Sequence, residues 1–505
     1  MSTATPAPPD VRDDPALASS TFRWPEDRPR PQPLIGAAPD VAAPLWERRA
    51  QRVLLVLGLI ISAGLLLMPT PAGLAPAGQR AFAVFALCTT LWLTNAIPFG
   101  ATGLLAVAML GLTGAMPASQ AFAAFGNQAV FFLIGIFIMA AALVESGLSK
   151  RCALLFLRRF ERSPRAFANG MLLAAAVATI WMPNQATAAM LFPIAAEVVI
   201  ALRLAPRQSA YAKALFLSLA WGAMIGSNIS FLGSTRAPLA LGMLQQRFDQ
   251  TIGFLDWVVA TLPVAVLGLV IAPLLLRMAF PREAVDFTVA RALLEDSVAA
   301  LGPIRRRQWT VAGILAASVV AWITLNGRLE LATVALLSAA ALFATRSLTW
   351  EEAERRIHWN IVLMYGGAIA LGVVIDDTGA ASWLVTRVVG DAAIPPFFAV
   401  VVVAAGALVL SQVMSNAAAV AVMLPLAFGL GDQLGVSPVA LVVATSVGAG
   451  LDFTLPFSSA PNTIAFASGY LRMVDVIRAG GLMTVASIVI VFLVAWLWWP
   501  LVGLL

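Results

Sequence analysis

Four short polar interruptions stand out in a chain that is otherwise apolar. The first is Pro183-Asn184-Gln185, inside ATIWMPNQATAAMLFPIA, and the second is Ser415-Asn416-Ala417, inside LSQVMSNAAAVAVMLPLA. Each puts an asparagine before a run of small residues, with a proline nine positions on, Pro193 and Pro425. The third is Gly233-Ser234-Thr235-Arg236 and the fourth is Ser458-Ser459-Ala460-Pro461-Asn462. A helix break leaves backbone N–H groups without intrahelical partners. At a helix N-terminus these carry about half a positive charge, which suits a carboxylate or phosphate-like group. The opposing carbonyls, with Ser, Thr and Asn oxygens, suit a hard cation such as Na⁺. An asparagine amide both donates and accepts, so Asn184 and Asn416 can each face both kinds of ligand. Small neighbours such as Ala186, Ala188, Ala417 and Ala418 let backbones approach closely.

Something must hold those interruptions together, and composition says in which solvent. Hydrophobic residues make up 60% of the 505 and charged residues 11%, with a mean hydropathy of +0.88. A soluble domain holds about 45–50% apolar and about 25% charged residues, so this chain needs lipid. Plain apolar runs fall at 53–68, 81–98, 102–116, 129–144, 255–278, 309–325, 331–345, 361–375 and 474–504. Regions 211–245 and 438–470 are longer and interrupted, and read as broken helices. Regions 166–203 and 396–431 are long enough to enter the membrane and turn back. The expectation is an all-α polytopic membrane protein with about 11 transmembrane helices, each needing about 20 residues, plus two re-entrant hairpins.

Charge placement supports that count. With the N-terminus cytoplasmic, inside segments hold Lys150, Arg151, Arg158, Arg159, Arg162 and Arg165, then Arg203, Arg207 and Lys213, then Arg305, Arg306 and Arg307. Outside segments hold only Arg80, Arg247, Arg328 and Arg387. This is the positive-inside pattern, and making either hairpin a full span would reverse every later loop. The net charge of +6 therefore sets orientation and does not point to nucleic acid. Residues 1–45, rich in Pro, Ala and charge, read as a disordered cytoplasmic tail, and no removable signal peptide is expected. The first transmembrane helix occupies 46–80, and the C-terminus lies outside. A bacterial inner membrane is the expected location.

The chain also repeats itself. Asn184 and Asn416 are 232 positions apart, and VESG at 144–147 answers DDTG at 376–379 at the same spacing. GSTRAPLALG at 233–242 answers SSAPNTIAFASG at 458–469. The first repeat is 81–300, with an inward-facing hairpin at 166–203 and a broken helix at 211–245. The second is 301–505, with an outward-facing hairpin at 396–431 and a broken helix at 438–470. Opposite orientation makes the repeats inverted, and such repeats place a binding site near mid-bilayer. Any single Ser or Asn here could be a packing residue, but four breaks in two matching pairs need more than packing.

At these four segments the sequence resembles the divalent anion/sodium symporter (DASS) family of dicarboxylate, citrate and sulfate transporters, from roughly Ala81 onward. That resemblance implies a homodimer whose scaffold stays fixed while a transport domain moves like an elevator. It implies substrate contacts at Pro183, Asn184, Gln185, Ser234, Thr235, Ser415, Asn416, Ala417, Ser459 and Ala460. It further implies sodium sites at Thr179, Asn184 and Gly233 in one half and at Ser411, Asn416 and Ser458 in the other. The sequence departs from the family pattern at both hairpin tips, where the threonines are replaced by Gln185 and Ala417 and one serine by Pro183. It departs again at Arg236, where an uncharged residue is expected, and carries Asp452 just before the break of its second broken helix.

Arg236 and Asp452 lie at nearly equivalent places in the two repeats, at a depth where a bare charge is costly. Those places would let them meet, and the hypothesis is that Arg236 holds the anion or stands in for a sodium ion while Asp452 carries a coupling proton or cation. A structural salt bridge between them is the alternative. His358 is the only histidine, and Cys88 and Cys152 show no disulfide or metal spacing, so neither enzyme chemistry nor a cofactor is expected. The expected activity is secondary transport of a small anion, a di- or tricarboxylate or sulfate, across the lipid bilayer, coupled to Na⁺ or by exchange. The alternative is a cation/proton antiporter or metalloid permease built on the same plan, which Asp452 keeps open.

Overall fold

The structure, a computed structural model, describes residues 45–390 and 395–505, so the expected N-terminal tail lies outside the described residues. All nine plain apolar runs fall on helices, among them Pro76–Thr94, Phe99–Leu112, Gln128–Glu145, Leu331–Ala344 and Trp359–Asp377. No strand occurs among the described residues. In hydrocarbon, only a helix or a closed barrel satisfies its own backbone, and runs of Leu, Ala, Val and Ile do so as helices. Among the described residues, six helices are long and apolar enough to cross a bilayer, judged by length and composition. Phe254–Ala279 carries the solvent preference on its surface. Leu255, Val259, Leu262, Val266, Val270 and Leu274 are exposed, an apolar stripe at helical spacing along the whole element, as a helix in lipid presents.

The repeat is visible element by element. Gly147 and Gly379 both adopt left-handed backbone, at φ 73° and 65°, and each opens a ten-residue helix, Leu148–Leu157 and Ala380–Val389. Apolar runs did not reveal these two helices, because they are short and amphipathic. Next come Pro164–Ala178 and Pro396–Ser411, each beginning at a proline. Proline suits this first position, where its missing N–H has no acceptor to lose. After a short break the chain returns in Asn184–Ala201 and Asn416–Leu434. The entering helices of 15 and 16 residues are about 22–24 Å long at about 1.5 Å per residue.

Each interrupted region consists of two helices with an irregular stretch between them. Ala210–Gly226 and Arg236–Phe248 flank one irregular stretch, and Pro438–Gly448 and Ala460–Ala467 flank the other. Each entering hairpin helix lies against the first half of its own broken helix, and glycine sets the distance. A Cβ on Gly222 would strike the Leu172 carbonyl, and one on Gly448 would strike the Ala404 carbonyl. Leu172 and Ala404 are again 232 positions apart.

The second halves cross over. Arg236–Phe248 packs on Asn416–Leu434 and Pro438–Gly448, whereas Ala460–Ala467 packs on Asn184–Ala201 and Ala210–Gly226. The outer helices exchange in the same manner, Phe99–Leu112 against Trp359–Asp377 and Leu331–Ala344 against Gln128–Glu145. Neither repeat buries its apolar faces without the other, so all four breaks are drawn to their common boundary.

Candidate functional site

In the first repeat, break docks onto break. Ser230 Oγ donates to the Ile180 carbonyl at 2.7 Å, and Gly233 lies so close to Thr179 that a Cβ would strike its carbonyl. The Thr179 hydroxyl donates to the Ala175 and Ala176 carbonyls at 3.2 and 2.8 Å, which leaves its lone pairs free. Asn184 opens the returning helix, half-buried beside Gln185. Gln185 Nε2 and Ser234 Oγ are buried without a hydrogen-bond partner among the described residues. Thr235 sits at the N-cap of Arg236–Phe248 without capping it.

The second repeat is built alike. Ser415 caps Asn416–Leu434, accepting from the Ala418 N–H at 3.3 Å. The Gln412 side chain accepts from the Thr454 N–H at 3.1 Å, joining hairpin tip to broken helix. Asn416 Nδ2 donates to Asp452 Oδ1 at 3.2 Å. Ser411 donates to the Leu408 carbonyl at 2.9 Å, and Ser458 donates to the carbonyls of Asp452 and Leu455 at 2.7 and 2.8 Å. Ser459 Oγ reaches Met224 Sδ of the other repeat at 3.4 Å, while Ala460 is exposed at the helix start.

Arg236 crosses between the repeats. It is 2% exposed, with Nε donating to the Ser446 carbonyl at 2.7 Å and Nη2 to Asn228 Oδ1 at 2.8 Å. Longer bonds from Nη1 and Nη2 reach Ser227 Oγ at 3.4 and 3.3 Å. A guanidinium has five N–H donors, and these contacts engage most of them with neutral protein oxygens. Only glycine fits at 450, where any Cβ would strike the guanidinium.

The salt bridge weighed as the alternative for Arg236 and Asp452 is not formed. No ion pair within 4.0 Å joins them, because Ser227, Asn228 and Ser446 claim the guanidinium first and Asn416 claims the carboxylate. Both charges are nevertheless buried near one boundary, and Asp452 is wholly inaccessible. The contacts of Arg236 leave it little capacity to clamp an anion directly. Its position instead supplies a fixed positive charge beside the breaks.

Sequence reasoning missed Ser227, Asn228, Ser446 and Gln412. The signal was present as polar residues inside apolar runs, but one polar side chain in a helix does not reveal its partner. The site therefore offers helix N-termini at Asn184 and Asn416, unpaired donors and hydroxyls, and free oxygen lone pairs in both repeats. Such an arrangement binds small ions of either sign. Among the described residues no group of His, Cys, Asp and Glu could hold a structural or catalytic metal.

Known proteins place this geometry in context. Residues 49–505 match the family described as the sodium:sulfate symporter transmembrane region. The sodium-dependent dicarboxylate transporter SdcS of Staphylococcus saprophyticus is 25% identical over 472 residues, covering 88% of this chain and 91% of that protein. SdcS of Staphylococcus aureus is 25% identical over 478 residues, covering 90% and 92%. Two solved structures share the fold at 14% identity and a TM-score of 0.50. They are MtrF of Neisseria gonorrhoeae, with 88% of this chain and 94% of that one covered, and the YdaH transporter of Alcanivorax borkumensis, with 90% and 98%. The family match runs through every break described above. The protein is an integral membrane transporter and not an enzyme, and the chain belongs to the divalent anion/sodium symporter family.

Proposed function

We infer that the protein is a secondary active transporter of small dianions, a dicarboxylate or sulfate, driven by sodium and working by an elevator movement. The observation that carries this reading is the convergence of four unwound segments at the boundary of two interlocked repeats. Unwound backbone at membrane depth is tolerated where it lines a cavity, and in transporters it marks the binding site. The anion is received by the N–H groups at Asn184 and Asn416, by Ser234, Ser415 and Ser459, and by the unpaired Gln185 amide. Arg236 offsets its charge from behind. The oxygens of Thr179, Gly233, Ser411 and Ser458 face sodium.

On this reading the 166–203 and 396–431 hairpins are re-entrant, the repeats are inverted and the spans number about 11. The N-terminus is cytoplasmic, the C-terminus is outside, the location is a bacterial inner membrane, and the working unit is a homodimer. The sodium-dependent dicarboxylate transporters among the relatives support sodium and anion over the antiporter and permease alternative.

Proteoliposome uptake tests the reading. Labelled succinate or sulfate should accumulate under an inward Na⁺ gradient and not under K⁺. Uptake that is indifferent to Na⁺ would remove the coupling, and uptake of neither anion under any gradient would remove the function.

A further inference from the structure

Arg247 stands where three helices end. It is the penultimate residue of Arg236–Phe248, Asp376 is the penultimate residue of Trp359–Asp377, and Asp432 lies in the last turn of Asn416–Leu434. One guanidinium nitrogen, Nη2, serves both carboxylates, reaching Asp376 Oδ1 at 2.5 Å and also Asp432 Oδ2. The guanidinium carbon lies over the rings of Phe248 and Phe428, 4.9 and 5.3 Å from their centroids. The Arg247 side chain is only 13% exposed, so water screens this network less than it screens a surface pair.

The three helices do not belong to one body. Arg236–Phe248 and Asn416–Leu434 each start at a break and so carry the candidate site. They lie on each other, with Phe248 edge-on to Phe428 at 5.0 Å. Trp359–Asp377 is unbroken and is fastened to the unbroken Phe99–Leu112 at backbone distance. A Cβ on Gly103 would strike the Leu363 carbonyl, and one on Gly367 the Gly103 carbonyl. Between Trp359–Asp377 and Arg236–Phe248 the contact is of another kind. A Cβ on Gly372 would first meet the far end of the Met243 side chain, and methionine adapts to a changing neighbour. Helices locked backbone to backbone move together, whereas an adaptable side chain lets one helix slide past another.

We propose that Arg247 is a latch between the helices that carry the site and the frame they move against. It keeps Asp432, which travels with it, and releases Asp376 at each crossing. While the pair holds, the ends of all three helices stay level at the outer face, in the orientation proposed above. The first repeat uses its matching position differently. Glu145, 232 positions before Asp377, pairs with Arg356 at 2.8 Å, just ahead of Trp359–Asp377 and so within the frame. The latch therefore favours one of the two end states. The inference rests on the elevator reading above, and its test separates the two.

Full-length protein with Cys88 and Cys152 replaced by Ala would carry spin labels at Phe122→Cys and Gln433→Cys, and their separation would be measured in lipid. Phe122 is exposed on a short helix that packs against Phe99–Leu112 and Trp359–Asp377, and Gln433 is exposed near the end of Asn416–Leu434. Arg247→Gln and Asp376→Asn should each enlarge the displaced population at least about threefold, and the double variant no further, since one interaction is lost. Asp432→Asn should leave the distribution as it is, because that partner moves with Arg247. No shift from Asp376→Asn, or an equal shift from Asp432→Asn, would overturn the proposal. In proteoliposomes, Arg247→Cys with Asp376→Cys, joined by a cleavable bifunctional thiol reagent, should lose uptake of labelled succinate or sulfate and regain it on reduction. Arg247→Cys with Asp432→Cys, joined in the same way, should keep it, and loss in both pairs alike would overturn the latch. If wild type takes up neither anion yet the labels shift as expected, the latch stands and the transport reading falls. If Na⁺-driven uptake survives with positions 247 and 376 joined, the transport reading stands and the latch falls.

Discussion

Asn416 and Asp452 are joined by one hydrogen bond of 3.2 Å, from a hairpin-tip amide to a buried carboxylate. That bond connects the two unwound segments of the second repeat, as the Ser230–Ile180 bond connects those of the first. Replacing Asn416 with Ala leaves both carboxylate oxygens buried and unpaired, and an unsatisfied buried polar group costs about 1–3 kcal/mol. A lower Tm and loss of uptake are expected from Asn416→Ala. Tm and transport equal to wild type would show that the bond carries neither.

Arg236 makes the complementary case. Arg236→Gln removes a buried charge and strands Ser446, Ser227 and Asn228. Each hydrogen bond to a charged group contributes about 1.5–3 kcal/mol, so a marked fall in Tm is expected together with weaker anion stabilisation. Gly450→Ala should mimic it with Arg236 still present, because the added methyl meets the guanidinium. A Gly450→Ala protein with wild-type Tm and anion affinity would refute the placement of Arg236.

The close approach at Gly448 gives a packing test. Gly448→Ala drives a methyl into the Ala404 carbonyl, whereas Gly481→Ala places one in open space on a helix. Overpacking of this kind typically costs about 1–3 kcal/mol, and Ala is the better helix former. Gly448→Ala should lower Tm and Gly481→Ala should hold or raise it. The reverse order would contradict the packing of Pro396–Ser411 on Pro438–Gly448.

Glu352 supplies a pH test outside the spans. Partial burial raises its carboxyl, but the Thr349 N–H and Arg307 outweigh that and hold it below its ordinary value. The Thr349 N–H donates to Glu352 at 2.9 Å, and Arg307 pairs with it at 2.8 Å. A depressed carboxyl contributes stability above the unfolded-state value of about 4.3, and that contribution disappears as pH falls through the folded value. Wild type should therefore exceed Glu352→Gln in Tm at about pH 6, and that lead should shrink as pH falls below the unfolded-state value of about 4.3. A lead that does not change with pH would exclude the ionised carboxyl as its source.

The apolar runs, the positive-inside charges and the 232-residue repeat were legible in the residues alone, because lipid demands long apolar helices and duplication preserves spacing. Pro193 and Pro425, Asn184 and Asn416, and the four interruptions could be read the same way. Two short helices escaped, Leu148–Leu157 and Ala380–Val389, since ten amphipathic residues carry little hydropathy signal. What linear order could not decide was partnership. Arg236 and Asp452 hold matching places, and pairing them is the natural reading of two buried opposite charges. The fold instead brings Ser446, 210 positions away, against the guanidinium, and gives the carboxylate to Asn416. Hydrogen-bond geometry acts over a few ångströms, and only the crossing of the two repeats determines which polar groups come within that reach.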